Sequence, residues 1–115
     1  MTYKTFDIVV VPFPFTDSKQ SKRRPALIVS SAQSFNDDAE HSIMVMVTTA
    51  IKEMWPLDVP IKDLKSAGLS KPSAVRMKFF TLDNRLIIRK VGQLSIKDKT
   101  IFCDQFQELF QEVLK

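Results

Sequence analysis

Three cations in a row, Lys22, Arg23 and Arg24, run directly into Pro25 and then into the apolar segment Ala26-Leu27-Ile28-Val29. Proline lacks a backbone N–H and fits the first position of a strand. It also pushes the residue before it towards extended geometry. Arg24 is therefore expected at the mouth of a strand, where a loop delivers a charged group to a rigid support. A second cationic pair, Arg76 and Lys78, lies in Ser73-Ala74-Val75-Arg76-Met77-Lys78-Phe79-Phe80. Side chains of a strand alternate, so both point the same way, about 6.6 Å apart along it. A guanidinium is a planar fork that matches phosphate oxygens bidentately. Such groups suit a polyanion, and they equally suit a solvated polar face. Thr48 closes the apolar run Ile43-Met44-Val45-Met46-Val47. Its hydroxyl both donates and accepts, although a β-branched residue is at home in any strand.

Composition narrows the chemistry further. The chain has 115 residues, a formal net charge of +4, two glycines, one histidine and one cysteine. A glycine-rich phosphate loop is excluded by the glycine count, and a hydrolase needing two histidines in one chain by the histidine count. His41 alone reads as a surface or capping residue. Cys103 cannot make an internal disulfide or, alone, a structural zinc site, which fits a reducing, cytoplasmic setting. No run approaches the ~18 apolar residues of a membrane span, and the residues up to Asp7 lack a signal-peptide layout. The length suits one domain, residues 1–115, large enough for a hydrophobic core.

The elements that would position these groups follow from periodicity. Phe6 to Phe13 is a nearly continuous apolar run and reads as a strand buried on both faces. Thr16 to Arg23 is a polar loop carrying Lys19, Lys22 and Arg23. A second strand is expected from Pro25 to Ser31, then an irregular stretch to Ser42 with Phe35 as an anchor onto the core. Ile43–Thr48, apolar on both faces, reads as a central strand. Trp55 to Ile61, with two prolines, reads as an edge strand. After the Ser73–Phe80 strand, Thr81 to Arg85 reads as a turn and Ile87 to Leu94 as a last short strand. Ser95 is placed to cap a helix. Ile101, Phe102, Phe106, Leu109, Phe110, Val113 and Leu114 form its apolar stripe, expected to pack on the core with Cys103 as a small filler. Short, hairpin-like connections imply a largely antiparallel sheet curled into a small barrel, an α+β, mostly β fold with a C-terminal amphipathic helix.

In order and spacing, these segments resemble the PemK/MazF family of toxin endoribonucleases. The resemblance is carried by Asp7-Ile8-Val9-Val10-Val11-Pro12-Phe13, Lys22-Arg23-Arg24-Pro25-Ala26-Leu27-Ile28-Val29, Val45-Met46-Val47-Thr48-Thr49, Lys71-Pro72-Ser73-Ala74-Val75-Arg76, Thr81-Leu82-Asp83 and the terminal helix. It implies an SH3-like barrel, usually a homodimer, that cleaves single-stranded RNA, chiefly mRNA, without a metal or other cofactor. It also implies a small antitoxin protein as partner. The family's active-site arginine corresponds to Arg24 and its strand-end threonine to Thr48. In one branch an arginine corresponding to Arg76 also takes part.

Three positions depart from the family pattern. Lys78 stands where that branch has an aspartate, Lys19 where some members carry a glutamate, and Phe6 where a glycine is usual. Metal-free cleavage would use the substrate's 2′-hydroxyl as nucleophile. The protein then has to stabilise charge on phosphorus and manage two protons. Arg24 and Thr48 suit charge stabilisation. Arg76 and Lys78 suit a clamp, and Lys19, Lys22 and Arg23 suit backbone contacts. No general base emerges. The alternative is a barrel that inhibits a protein target such as a topoisomerase, or binds RNA without cutting it; an inhibitor would rely on an exposed apolar C-terminal tip.

Overall fold

The structure, a computed structural model, describes residues 2–13, 22–49 and 52–115. Among these residues, six strands, β1 (Asp7–Phe13), β2 (Lys22–Ile28), β3 (His41–Thr48), β4 (Val59–Pro60), β5 (Ala74–Asp83) and β6 (Arg89–Gln93), form one antiparallel sheet. Its order is β4-β5-β3-β2-β1-β6. Short helices α1 (Asp37–Ala39) and α2 (Leu64–Ala67) lie in connections, and α3 (Ile96–Leu109) follows the last strand. The curled antiparallel sheet with a C-terminal helix expected from the sequence is present.

Alternation gives the sheet two faces with different fates. Ile8, Leu27, Val45, Val47 and Val75 are buried on one face, with Phe102 of α3 and Ala67 of α2 in the same cluster. Val9, Val11, Ala26, Ile28 and Met44 are buried on the other, closed over at one end by Ile87, Tyr3 and Phe80. This is why β1 and β3 read as continuous apolar runs. The helical face is tied down by polar contacts too. Ser95 caps α3 by accepting from the Asp98 backbone N–H at 3.2 Å. The buried Asp98 carboxylate accepts from the backbone N–H groups of Lys62 and Asp63 at 3.1 and 3.0 Å. The chain's two glycines both serve the contact between α2 and β6. A side chain on Gly68, which caps α2 at φ 74°, would meet the Val91 carbonyl oxygen at 2.1 Å. One on Gly92 would meet the Ala67 backbone at 2.5 Å.

Several local expectations are revised. β2 begins at Lys22, three residues early, with Pro25 inside it opposite Val10. Pro25 is tolerated because the β3 ladder starts only at Ala26, so its missing N–H faces no partner strand. Thr81 to Asp83 continue β5 and pair with β3; the turn falls at Asn84–Leu86. Ala32–Asn36 forms a wide helical turn, and its buried residue is Asn36, while Phe35 is 37% exposed. The Asn36 amide donates to the carbonyls of Tyr3 and Ser30 at 3.0 and 3.1 Å. A polar network therefore anchors this stretch where an aromatic was expected to. The apolar stripe of α3 is covered unevenly. Phe102 is buried, whereas Val113 and Leu114 lie beyond the helix at 78% and 61% exposure. Cys103 is half-buried rather than enclosed. Phe6 adopts φ 76°, a conformation glycine reaches without steric cost.

Candidate active site

The site grows out of the register. β2 and β3 pair as Ala26 with Met46, Leu27 with Val45 and Ile28 with Met44. Carried two residues further, that register sets Arg24 across from Thr48, where β2 leaves β3 and remains paired with β1 through Val11. On the other side of β3, Thr48 pairs with Ala74, and Arg76 and Lys78 follow on the same face of β5. Arg24, Thr48, Arg76 and Lys78 therefore converge from three adjacent strands. They line one cleft of about 190 Å³, floored by Met46 and Val47 and walled by the aromatic rings of Phe13 and Trp55. This is the face without α3, at the end opposite the Ile87 and Phe80 cover.

Cations and rings alternate across the cleft. The Arg24 Cζ lies 6.0 Å from the Phe13 ring centre, and the Lys78 Nζ lies 5.6 Å from the same ring. Lys78 is also 6.0 Å from the Trp55 ring, and the Arg76 Cζ is 4.9 Å from it. Each ring face can soften the repulsion between the cations beside it, at about 0.5–1 kcal/mol per exposed contact. Arg76 differs from the other two. It is only 9% exposed, and it donates from Nε and Nη2 to the two oxygens of Asp58 at 3.3 and 3.0 Å. Nη2 also donates to the Glu53 carbonyl at 2.8 Å. The Asp58 side chain is fully buried. Among the described residues, Arg24 and Lys78 are paired with no carboxylate. Among the described residues, three cations stand against one committed carboxylate, which gives this part of the cleft a positive sign, suited to an anion.

The remaining expected site residues fall as follows. Lys22 and Arg23 are exposed on β2. Alternation puts Lys22 on the Arg24 face and Arg23 on the opposite one. Lys19 lies outside the described residues. His41 begins β3, about 23 Å along the strand from Thr48, exposed, with Nδ1 2.9 Å from the Ala39 carbonyl oxygen. Among the described residues, no three or more His, Cys, Asp or Glu side chains group together as metal ligands. Sequence reasoning missed Asp58 and Phe13 as members of the site. The signal for Asp58 lay in Trp55-Pro56-Leu57-Asp58. The Asp58 N–H donates to the Trp55 carbonyl at 3.2 Å, and Leu57 has φ 66°. That is a type II turn with proline at its second position. The segment read as an edge strand is this turn, followed by the two-residue β4 at the sheet edge.

The model of the PemK-like, MazF-like toxins of type II toxin-antitoxin systems matches residues 4–110. The chain belongs to the PemK/MazF toxin family. Among solved structures, Mycobacterium tuberculosis toxin MazF-mt6 is 19% identical with a TM-score of 0.73, covering 91% of this chain and 96% of its own. MazF from Deinococcus radiodurans is 18% identical with a TM-score of 0.74, covering 96% and 98%. An endoribonuclease in complex with its cognate antitoxin, from Mycobacterial species, is 16% identical with a TM-score of 0.71, covering 93% and 91%. At these identities the likeness is one of fold. A comparison with curated protein sequences gives no match.

Proposed function

We propose that this PemK/MazF toxin is a metal-independent endoribonuclease acting on single-stranded RNA, chiefly mRNA, through the cleft that holds Arg24, Thr48 and Arg76. The observation that carries the reading is the convergence of Arg24, Thr48, Arg76 and Lys78 from three strands onto one solvent-open cleft. In the reaction the ribose 2′-oxygen attacks phosphorus and loses its proton. The P–O5′ bond breaks and the 5′-oxygen gains a proton. The products are a 2′,3′-cyclic phosphate and a 5′-hydroxyl. Arg24, exposed and without a carboxylate partner among the described residues, stabilises the charge that builds on the phosphoryl oxygens. The Thr48 hydroxyl donates to the same oxygens. Arg76, with Nε and Nη2 committed, supplies fixed positive charge rather than a mobile proton. Lys78 and Lys22 extend the row along the RNA backbone, with Arg23 and Lys19 as outer contacts. A cognate antitoxin protein, a homodimeric, single-domain toxin and a cytoplasmic location complete the proposal.

RNA carrying a 2′-deoxy sugar at the scissile nucleotide is expected to resist cleavage while chelator leaves the rate unchanged. Cleavage of that substrate, or strict dependence on added Mg²⁺, would sink the mechanism. The exposure of Val113 and Leu114 favours a second reading, inhibition of a protein target through an apolar surface. Growth inhibition that survives Arg24→Ala would select it.

A further inference from the structure

We propose that Trp55 is the stacking platform for an unpaired base of the RNA beside the scissile phosphate, and that Asp58 is the positioning residue that holds it there. This rests on the ribonuclease reading above. Large aromatics are usually driven into cores, yet Trp55 is 45% exposed. It is not loose either. The Trp55 backbone N–H donates to Asp58 Oδ2 at 2.9 Å, and the turn closes on its carbonyl. The same Asp58 oxygen takes Nη2 of Arg76, whose guanidinium lies 4.9 Å from the centre of the Trp55 ring. One buried carboxylate thus joins the Trp55 backbone, the turn and the guanidinium lying over the ring into a single unit at the cleft wall. Leu57 holds φ 66°, strained for a side chain of its size. Such strain persists only where the surroundings fix it, and it concentrates at binding sites.

The ligand chemistry follows from what the ring offers. An aromatic face beside a row of cations fits a single strand, whose backbone tracks the charge while its bases lie on rings. Stacking accepts any base, because every base has a π-face. The platform therefore sets how the strand is seated, and base-edge contacts elsewhere set which sequence is cut.

Trp55 is the chain's single tryptophan, so its emission reports on the platform directly. Full-length protein is titrated with a fluorescently labelled, uncleavable 2′-O-methyl oligonucleotide, and in parallel with an abasic strand of the same sugar-phosphate length. Label anisotropy reads binding independently. The expected result is that both strands bind, and that only the strand with bases quenches Trp55. In cleavage assays Trp55→Ala is expected to raise KM about 5- to 100-fold with little change in kcat, while Trp55→Phe restores most of it. Asp58→Asn is expected to move KM in the same direction. Equal quenching by the abasic strand, or binding of the based strand without quenching, overturns the platform and leaves the ribonuclease reading standing. Failure of both strands to bind removes the ribonuclease reading and the platform together. A change in oligomeric state in Trp55→Ala, with KM unaltered, would assign Trp55 to an interface between copies.

Discussion

The two faces of the sheet are made by the same strands and do opposite things. On the helical face, Ile8, Leu27, Val45 and Val75 meet Phe102 and their partners, and the nearby polar groups are consumed by caps such as Ser95 and Asp98. On the other face the apolar cover of Tyr3, Ile87 and Phe80 reaches only part way. Past Met46 the same alternating positions become Thr48, Arg24, Arg76 and Lys78. Stability and chemistry are thereby separated by one residue of register. On β2, a substitution at the buried Leu27 should act on folding, and one at the exposed Arg24 should act on function.

That separation can be broken deliberately. The largest effect is expected from the packed face. Leu27→Ala should remove about 2–5 kcal/mol of unfolding free energy in urea titrations, as truncation of a fully buried leucine does. The protein that remains folded should cleave at the wild-type rate. A large loss of rate per folded molecule would show that the two faces are coupled. A smaller effect is expected at the exposed Lys78. Lys78→Ala should weaken RNA binding across all sequences and reduce the salt dependence of log K by about one unit of slope, with unfolding unchanged within about 0.5 kcal/mol. A change in cleavage sequence would mean that Lys78 reads bases. The smallest effect lies away from both faces. The Arg85 guanidinium, 2.7 Å from the Asp83 carboxylate, holds that carboxyl down to about 2 from its usual 3.8. A lowered folded-state value gives stability that is present above 3.8 and fades as pH falls towards about 2. Asp83→Asn should therefore lower the thermal midpoint slightly at pH 6. The gap from wild type should close as pH falls towards 2 and shrink in high salt.

The parts of the molecule that were legible beforehand are those governed by local pattern. Continuous apolar runs marked β1 and β3 as strands buried on both sides, and alternation put Arg76 and Lys78 on one face. Ser95 with the phenylalanine spacing marked the start of α3. What pattern does not carry is register and reach. Pro25 looked like the start of a strand because a proline needs an unpaired side. Only the offset between β2 and β3 shows that this side opens at Ala26 while pairing with β1 runs on. Arg76 read as surface charge or site, and it is a buried ion pair within the site. Its partner Asp58 is 18 residues away and hidden in a proline turn. The exposure of Val113 and Leu114 was missed because helical periodicity runs on past Leu109, where the helix itself ends.

Under the proposed function, the cationic end of the uncovered face cleaves RNA, with Arg24 at the phosphate. This is tested most directly by incubating purified wild-type and Arg24→Ala protein with a long single-stranded RNA, with and without chelator, and mapping the ends. The expected result is chelator-insensitive cuts ending in 2′,3′-cyclic phosphate and 5′-hydroxyl, at least ~10²-fold slower in Arg24→Ala, with both proteins unfolding at the same urea midpoint. Equal cleavage rates in the two proteins, or cuts that appear only with added Mg²⁺, would contradict it.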